Sequence, residues 1–408
     1  MIPYILEWGS LLLRWLHVVS AMAWIGASFF FMHLDASLRS TKDIPAGQGG
    51  SSWQVHGGGF YEMRKYLVAP EFMPEELTWH KWQAYTTWLS GFVLLAWIYY
   101  AQSHLYLINP DVMQLNAWQA SALGVGALGL GWVIYDQLCK SPLGKNENVL
   151  GLVGLVAIVA ASFGFTQVFS GRGALIHTGA LMATWMAGNV FLIIIPNQRK
   201  VVASLMAGET PDPALGKQAK QRSTHNNYLT LPVVLLMLAN HYPVLYANSA
   251  VIPPIVFLIT ISGSLIRHFY NVRHSDHAKS PWWTWAAAAV ALWFTFWVAM
   301  ASSPTGREQL GLSAAASVPA KESHVPAPAK VIEIVTSRCS MCHAAEPVWE
   351  GIQIAPKAVF LDTPANIARQ ADAINLQAVL SRAMPPNNIT AMTDDERTAI
   401  AIWVKNSK

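Results

Sequence analysis

Cys339-Ser340-Met341-Cys342-His343 decides how the C-terminal part of the chain folds. Two cysteines three apart, followed at once by histidine, bring two thiols and an imidazole off one tight turn. The sulfurs can then bond the vinyl groups of a heme while His343 ligates its iron. A thioredoxin-like CxxC needs a βαβ context and a thiolate poised for exchange, and neither is visible here. A structural zinc site needs further thiol or imidazole ligands, and the segment offers none downstream. The chain has 3 cysteines and this motif uses two of them. Covalent heme c is the reading.

Outward from the motif, residues 331–408 form a small domain whose core a buried heme would complete. Val331 to Ser337 reads as a short helix running into the motif, and Asn366 to Leu380 as a second. Thr393-Asp394-Asp395-Glu396 is a capping box that opens a last helix through Trp403. Met384, held by Pro385 and Pro386, is the expected sixth ligand, with Met392 a weaker rival and Met341 inside the attachment turn. Residues 302–330 turn to Ala, Ser and Pro and read as a tether.

Residues 1–301 are different in kind. The whole chain is 53% hydrophobic and 12% charged, with 18 tryptophans, many near the ends of long apolar runs. That is the pattern of a membrane protein with aromatic belts. The net charge of +4 does not suggest nucleic-acid binding. Eight spans are expected at 7–33, 81–101, 115–136, 150–168, 174–196, 227–247, 250–269 and 282–301, each near helix-spanning length. The first begins almost at Met1, lacks a small-residue cleavage site and is expected to stay in the membrane. The fold class is therefore all-α, a polytopic helix bundle with a small C-terminal cytochrome domain.

Lysine and arginine orient the bundle. Arg39, Lys42, Arg64 and Lys65 follow span one, and Lys140 and Lys145 follow span three. Arg199, Lys200, Lys217, Lys220 and Arg222 follow span five, and Arg267, Arg273 and Lys279 surround the last connection. The alternate connections hold only Arg172. The rich loops are cytoplasmic by the positive-inside rule, so both termini are periplasmic. Heme c is attached on the outer face of a bacterial inner membrane, which agrees. The cytoplasmic connection 34–80, with Gly57-Gly58-Gly59 before an aromatic and charged run, reads as an ordered element, a plain linker being the alternative.

Histidines within the spans supply the candidate chemistry. His17, with Arg14 one turn away on the same face, His177 and His241 lie toward the outer half. They offer axial ligands for at least one heme b, with Arg14 for a propionate and His17 the first choice. The bland alternative is histidine hydrogen-bonded between helices. His33, His80, His225 and His268, with Arg267, Asp35 and Asn226-Asn227, lie at the inner edge and could line a polar substrate pocket. Ordinary interfacial polarity is the alternative. Thr166-Gln167 and Asn189 are further buried polar groups able to read a planar substrate or to join helices.

Cys339, Cys342, His343 and Met384 resemble a class I cytochrome c. The wider pattern, Arg14-Trp15-Leu16-His17 then Ala23-Trp24-Ile25-Gly26, eight spans and a tethered heme domain, resembles the bacterial membrane-bound urate oxidases (urate hydroxylases) over essentially the whole chain. The first span alone is similar, more weakly, to heme-b proteins such as bacterial protoporphyrinogen oxidase. The resemblance implies oxidation of urate to 5-hydroxyisourate, with electrons passing through the cytochrome domain to a cytochrome oxidase or soluble cytochrome c. Rival classes are a quinol or other small-molecule dehydrogenase of the same design, an electron-transfer subunit of a terminal oxidase, and a transporter.

Overall fold

The computed structural model describes residues 2–40, 48–66, 74–110, 112–246, 248–275, 279–302, 310, 326–349, 352, 355–380, 384–385 and 388–406. Most of the tether expected at 302–330 lies outside the described residues. The protein is a largely helical, polytopic membrane protein. Six helices are long and apolar enough to cross a membrane: Trp8–Ser37, Ala117–Lys140, Glu147–Thr166, Gly171–Met206, Ser249–Ser275 and Trp283–Ala301.

The bundle runs α1 (Ile2–Ser37), α2 (Trp82–Leu95) with a π-helical turn at Ala96–Tyr100, and the short α3 (Ser103–Tyr106). Then come α4 (Ala117–Lys140), α5 (Glu147–Thr166), α6 (Gly171–Gly188), a second π turn at Asn189–Ile194 and α7 (Ile195–Met206). It closes with α8 (Pro213–Ala239), α9 (Ile252–Ser275) and α10 (Trp283–Ala301). Helix α6 has no exposed residue and sits at the centre, touching α4, α5 and α8, its few polar side chains bonded inside the bundle. Leu175, Met182, Leu236, Ile255 and Ile259 fill the core around it. Outward, α1 presents Trp8, Leu11, Trp15 and Met22, and α10 presents Trp283, Trp293 and Phe296. So broad an apolar surface suits lipid rather than water.

Two features depart from the expected pattern. Within the connection after α1, residues 48–66 form a β-hairpin, so the fold is not wholly α. Strands β1 (Gln48–His56) and β2 (Gly59–Tyr66) pair antiparallel with His56 opposite Gly59. Gly57 and Gly58 both have positive φ, 58° and 79°, the conformation that a two-residue hairpin turn needs. The sixth span was expected from 227, yet α8 starts at Pro213, capped by the Asp212 carboxylate on the Ala214 N–H at 2.8 Å. Arg222 therefore lies in a helix, fully buried, rather than in a loop.

The two ends of the bundle are marked by their charges. Asp35 pairs with Lys65 of the hairpin and, at 3.6 Å, with Lys220. This is the end that the charge bias assigns to the cytoplasm, the inner end. At the other end, Ala358 of the C-terminal unit packs against the bundle core. Burial, and then the charges of Arg172 and Arg14, hold the Lys357 ammonium below its usual range.

The C-terminal unit is built on α11 (Ala329–Arg338), α12 (Pro364–Arg369), α13 (Ala371–Ile374) and α14 (Asp394–Asn406). Helices α11 and α14 pack together. Val331, Ile334, Val335, Ile367, Ile400 and Trp403 share its core. The Thr393 capping box is present in full: the Thr393 N–H donates to Glu396 at 2.7 Å, and the Glu396 N–H donates to the Thr393 hydroxyl at 3.2 Å.

Candidate functional site

The inner half of the bundle holds a buried cation at the meeting of α1, α8 and α9. Arg267 is 5% exposed. Its Nε donates to Asn227 Oδ1 at 3.2 Å, and its guanidinium lies 3.7 Å from the centre of the Phe29 ring. Asn271 Nδ2 donates to the same Asn227 oxygen at 3.0 Å. Asn227 is fully buried, and its own Nδ2 has no partner. No carboxylate among the described residues pairs with Arg267. A buried charge and a buried donor left unpaired are costly, and an acceptor-rich anion placed here would satisfy both. Beside it, Tyr228 Oη and His268 Nδ1 are 3.0 Å apart.

A second polar cluster lies on the other side of α8. Arg222 donates to Asp136 Oδ1 at 2.7 Å and to Asn189 Oδ1 at 3.1 Å, while its Nε is unpaired. Asp136 also accepts from Lys140 at 2.6 Å. Asn189 Nδ2 donates to Tyr135 Oη at 3.0 Å and to Asn226 Oδ1 at 2.8 Å. Asn189 opens the π turn, a distortion often found at functional positions. Tyr135 Oη is 2.7 Å from His225 Nδ1, and His225 Nε2 is 3.3 Å from Glu147 Oε2. Here the charges compensate each other; removing Asp136 would strand Arg222 at a cost of about 3–5 kcal/mol.

The inner histidines therefore do not form one cluster. His225 belongs to the second network and His268 to the first. His33 packs its ring 4.4 Å from that of His274, and exposed His80 stacks edge-on with the Phe31 ring at 4.7 Å. Sequence reading missed Tyr135, Asp136, Glu147 and Phe29, and took Arg222 for a loop charge. The Asp212-Pro213 start signal was the clue that places Arg222 about two turns inside a helix.

Toward the outer end, His17 turns into α2. Its Nδ1 donates to the Thr87 carbonyl at 2.9 Å, with Ser90 Oγ at 3.2 Å. That fixes the ring and leaves Nε2 without a partner among the described residues, the arrangement that metal-ligating histidines adopt. Gly91 makes room: a Cβ there would stand 2.7 Å from His17 Cε1. His177, fully buried, has both nitrogens engaged, Nδ1 with the Gly173 carbonyl at 2.8 Å and Nε2 with Tyr100 Oη at 3.2 Å. His241 is exposed in the turn after α8, and Arg14 is exposed on α1.

In the C-terminal unit Cys339 caps α11, and the N–H groups of Cys342 and His343 fold back onto its carbonyl at 3.2 and 3.0 Å. His343 Nδ1 donates to the Val359 carbonyl at 3.0 Å, leaving Nε2 for a ligand. Burial pushes the Cys339 thiol up to about 12 and raises that of Cys342, so neither is a ready thiolate for exchange. Burial lowers His343, favouring the neutral ring that binds iron. Arg397 holds the Met384 carbonyl at 3.1 Å. Met392 is 3% exposed in the apolar core, poorly placed to leave it. The donor set fits a covalently bound heme.

Fold and sites together define a polytopic helical membrane protein with a buried inner arginine that no carboxylate among the described residues pairs with, and a small helical unit carrying a CxxCH turn. Residues 3–299 match the family model described as urate oxidase N-terminal, and the chain belongs to that family. Neither a curated protein nor a solved structure matches the chain.

Proposed function

We propose that this chain oxidises urate to 5-hydroxyisourate inside the membrane bundle and passes the electrons through its C-terminal unit to a respiratory-chain acceptor, a cytochrome oxidase or soluble cytochrome c. The family match supports the substrate, and the observation that carries the site is Arg267, a buried cation with no acidic partner among the described residues. Urate at neutral pH is a planar monoanion rich in carbonyl acceptors. Arg267 would pair its charge, Asn227 Nδ2 would donate to a carbonyl, and the Phe29 ring supplies an apolar face beside them. Bound this way, urate restores the partners that both buried groups lack.

The reaction balances as urate monoanion plus water giving 5-hydroxyisourate, one proton and two electrons. His268, hydrogen-bonded to Tyr228, is the base nearest this site and would take the proton as water adds to the ring. Cys339, Cys342, His343 and Met384 would hold a heme c, and His17, with Arg14, His177 and His241 nearby, a heme b; both would supply one-electron acceptor chemistry. His33 and His80 would stand at the cytoplasmic mouth. In this reading α2 with its π turn and α8 complete eight spans, the three units are 1–301, 302–330 and 331–408, and both termini lie in the periplasm of a bacterial inner membrane.

The test is anaerobic mixing of purified oxidised protein with urate, watching the reduced heme bands. Prompt reduction of a c-type band is expected. No reduction, in protein whose heme dithionite still reduces, would overturn the urate reading.

A further inference from the structure

We propose that His225 and Glu147 are the proton outlet of the bundle, carrying the proton released by substrate oxidation to the inner surface. The proposal rests on the urate reading above and assigns a route to the proton that it produces. His225 uses its two ring nitrogens in opposite directions: Nδ1 faces the Tyr135 hydroxyl at 2.7 Å, and Nε2 faces Glu147 Oε2 at 3.3 Å. Its side chain is 15% exposed and that of Glu147 is 59% exposed, so the pair bridges the buried interior and water. Of His33, His80, His225 and His268, only His225 joins a buried hydroxyl to an exposed carboxylate in this way.

An imidazole that accepts a proton on one nitrogen and releases it from the other is a shuttle, returning to its starting tautomer when the ring protons rearrange. The neighbouring groups leave Glu147 as the exit. Asp136, the other carboxylate here, is already shared by Arg222 and Lys140 at 2.7 and 2.6 Å. Glu147 gives only Oε1 to Gln221, at 2.9 Å, and turns Oε2 to the histidine.

The entry side is the Tyr135 hydroxyl, which accepts from Asn189 Nδ2 at 3.0 Å in the buried network and meets His225 Nδ1 at 2.7 Å. Tyr228, hydrogen-bonded to His268, stands one helical turn along α8 from His225. No bond to carbon forms or breaks along the path: one proton enters at Tyr135, crosses His225 and leaves through Glu147 to solvent. The two electrons leave separately, to ferricyanide as the one-electron oxidant in the assay.

The experiment compares wild type, His225→Gln, His225→Ala and Glu147→Gln in the full chain, with urate as donor, ferricyanide as acceptor, and heme content measured in each. Expected are a fall in kcat of about tenfold or more for His225→Gln at unchanged KM for urate, partial rescue of His225→Ala by added imidazole, and slowed proton release in Glu147→Gln. Wild-type protein that urate reduces, with His225→Gln and Glu147→Gln equally fast, would overturn the outlet and leave the urate reading standing. A slow His225→Ala that imidazole does not rescue, beside a Glu147→Gln at the wild-type rate, would also overturn it. Wild-type protein that urate does not reduce would overturn both.

Discussion

The Arg267 guanidinium lies 3.7 Å from the centre of the Phe29 ring, and among the described residues the only side-chain oxygen it reaches is Asn227 Oδ1. An aromatic face offsets part of the cost of burying that charge, and an anion would offset the rest. Arg267→Gln keeps most of the volume and removes the charge. A hydrogen bond to a charged group is worth about 1.5–3 kcal/mol, so kcat/KM for urate should fall about 10- to 150-fold, through KM. Arg267→Lys should fall between, because it keeps the charge and loses the fork. An unchanged KM in Arg267→Gln would remove Arg267 from the substrate site.

The contact between His17 and Gly91 gives a test of the membrane ligand that does not touch the ligand itself. The Gly91→Ala methyl would stand 2.7 Å from His17 Cε1 and must push the ring off the Thr87 carbonyl. If His17 ligates a heme b, Gly91→Ala should weaken or shift the b-type band, His17→Ala should abolish it, and the c-type band should persist in both. His177→Ala should leave the b-type band in place, since both nitrogens of that ring are already occupied. A complete b-type spectrum in His17→Ala would sink the assignment.

How far the sequence could be read depended on whether a signal was local. The CxxCH turn and the Thr393 capping box are local, and both stand where the residues place them, with α14 opening at Asp394. The apolar runs are nearly local, and α4, α5, α9 and α10 start within three residues of the expected spans. The hairpin was harder. Gly57-Gly58 marks its turn, yet Trp53, Val55, Phe60 and Tyr61 stay exposed on both faces, so no clean alternation announces the strands. The buried sites were least legible. Arg222 and Asp136 are 86 positions apart, and nothing in either stretch says that they meet. Arg267 was flagged by its depth alone; its lack of an acidic partner is a tertiary fact.

Two methionines in the C-terminal unit separate ligation from packing. Methionine as sixth ligand raises the potential of a heme iron. Met384→Leu should therefore lower the c-type midpoint potential with little change in stability, Met384 being only half-buried. Met392 is buried among Ile334, Val335 and Trp403 in the unit's core, so Met392→Ala should cost about 2–5 kcal/mol of stability and leave the potential near its wild-type value. Redox titration and thermal melts on the same samples would show it. The opposite pattern would make Met392 the ligand.

Glu396 ties the first turn of the last helix to the helix that leads into the CxxCH turn. Burial alone would push its carboxyl up. The Thr393 N–H and the Arg338 guanidinium, whose Nε is 3.1 Å and Nη2 3.0 Å from Oε1, outweigh that and hold it below the usual 4.5. A carboxylate depressed on folding contributes stability that is fully present above the unfolded value and is lost as pH falls through the lower, folded one. Glu396→Gln should therefore melt earlier than wild type at neutral pH, by about 1 kcal/mol, the usual worth of such a cap. The two should converge as pH drops below about 4.5, where the wild-type carboxylate takes up its proton. With heme c on Cys339 and Cys342, its c-type α-band would follow this unit apart from a heme b of the bundle. A gap between the two melting curves that stays constant into acid would mean that Glu396 acts there by shape and not by charge.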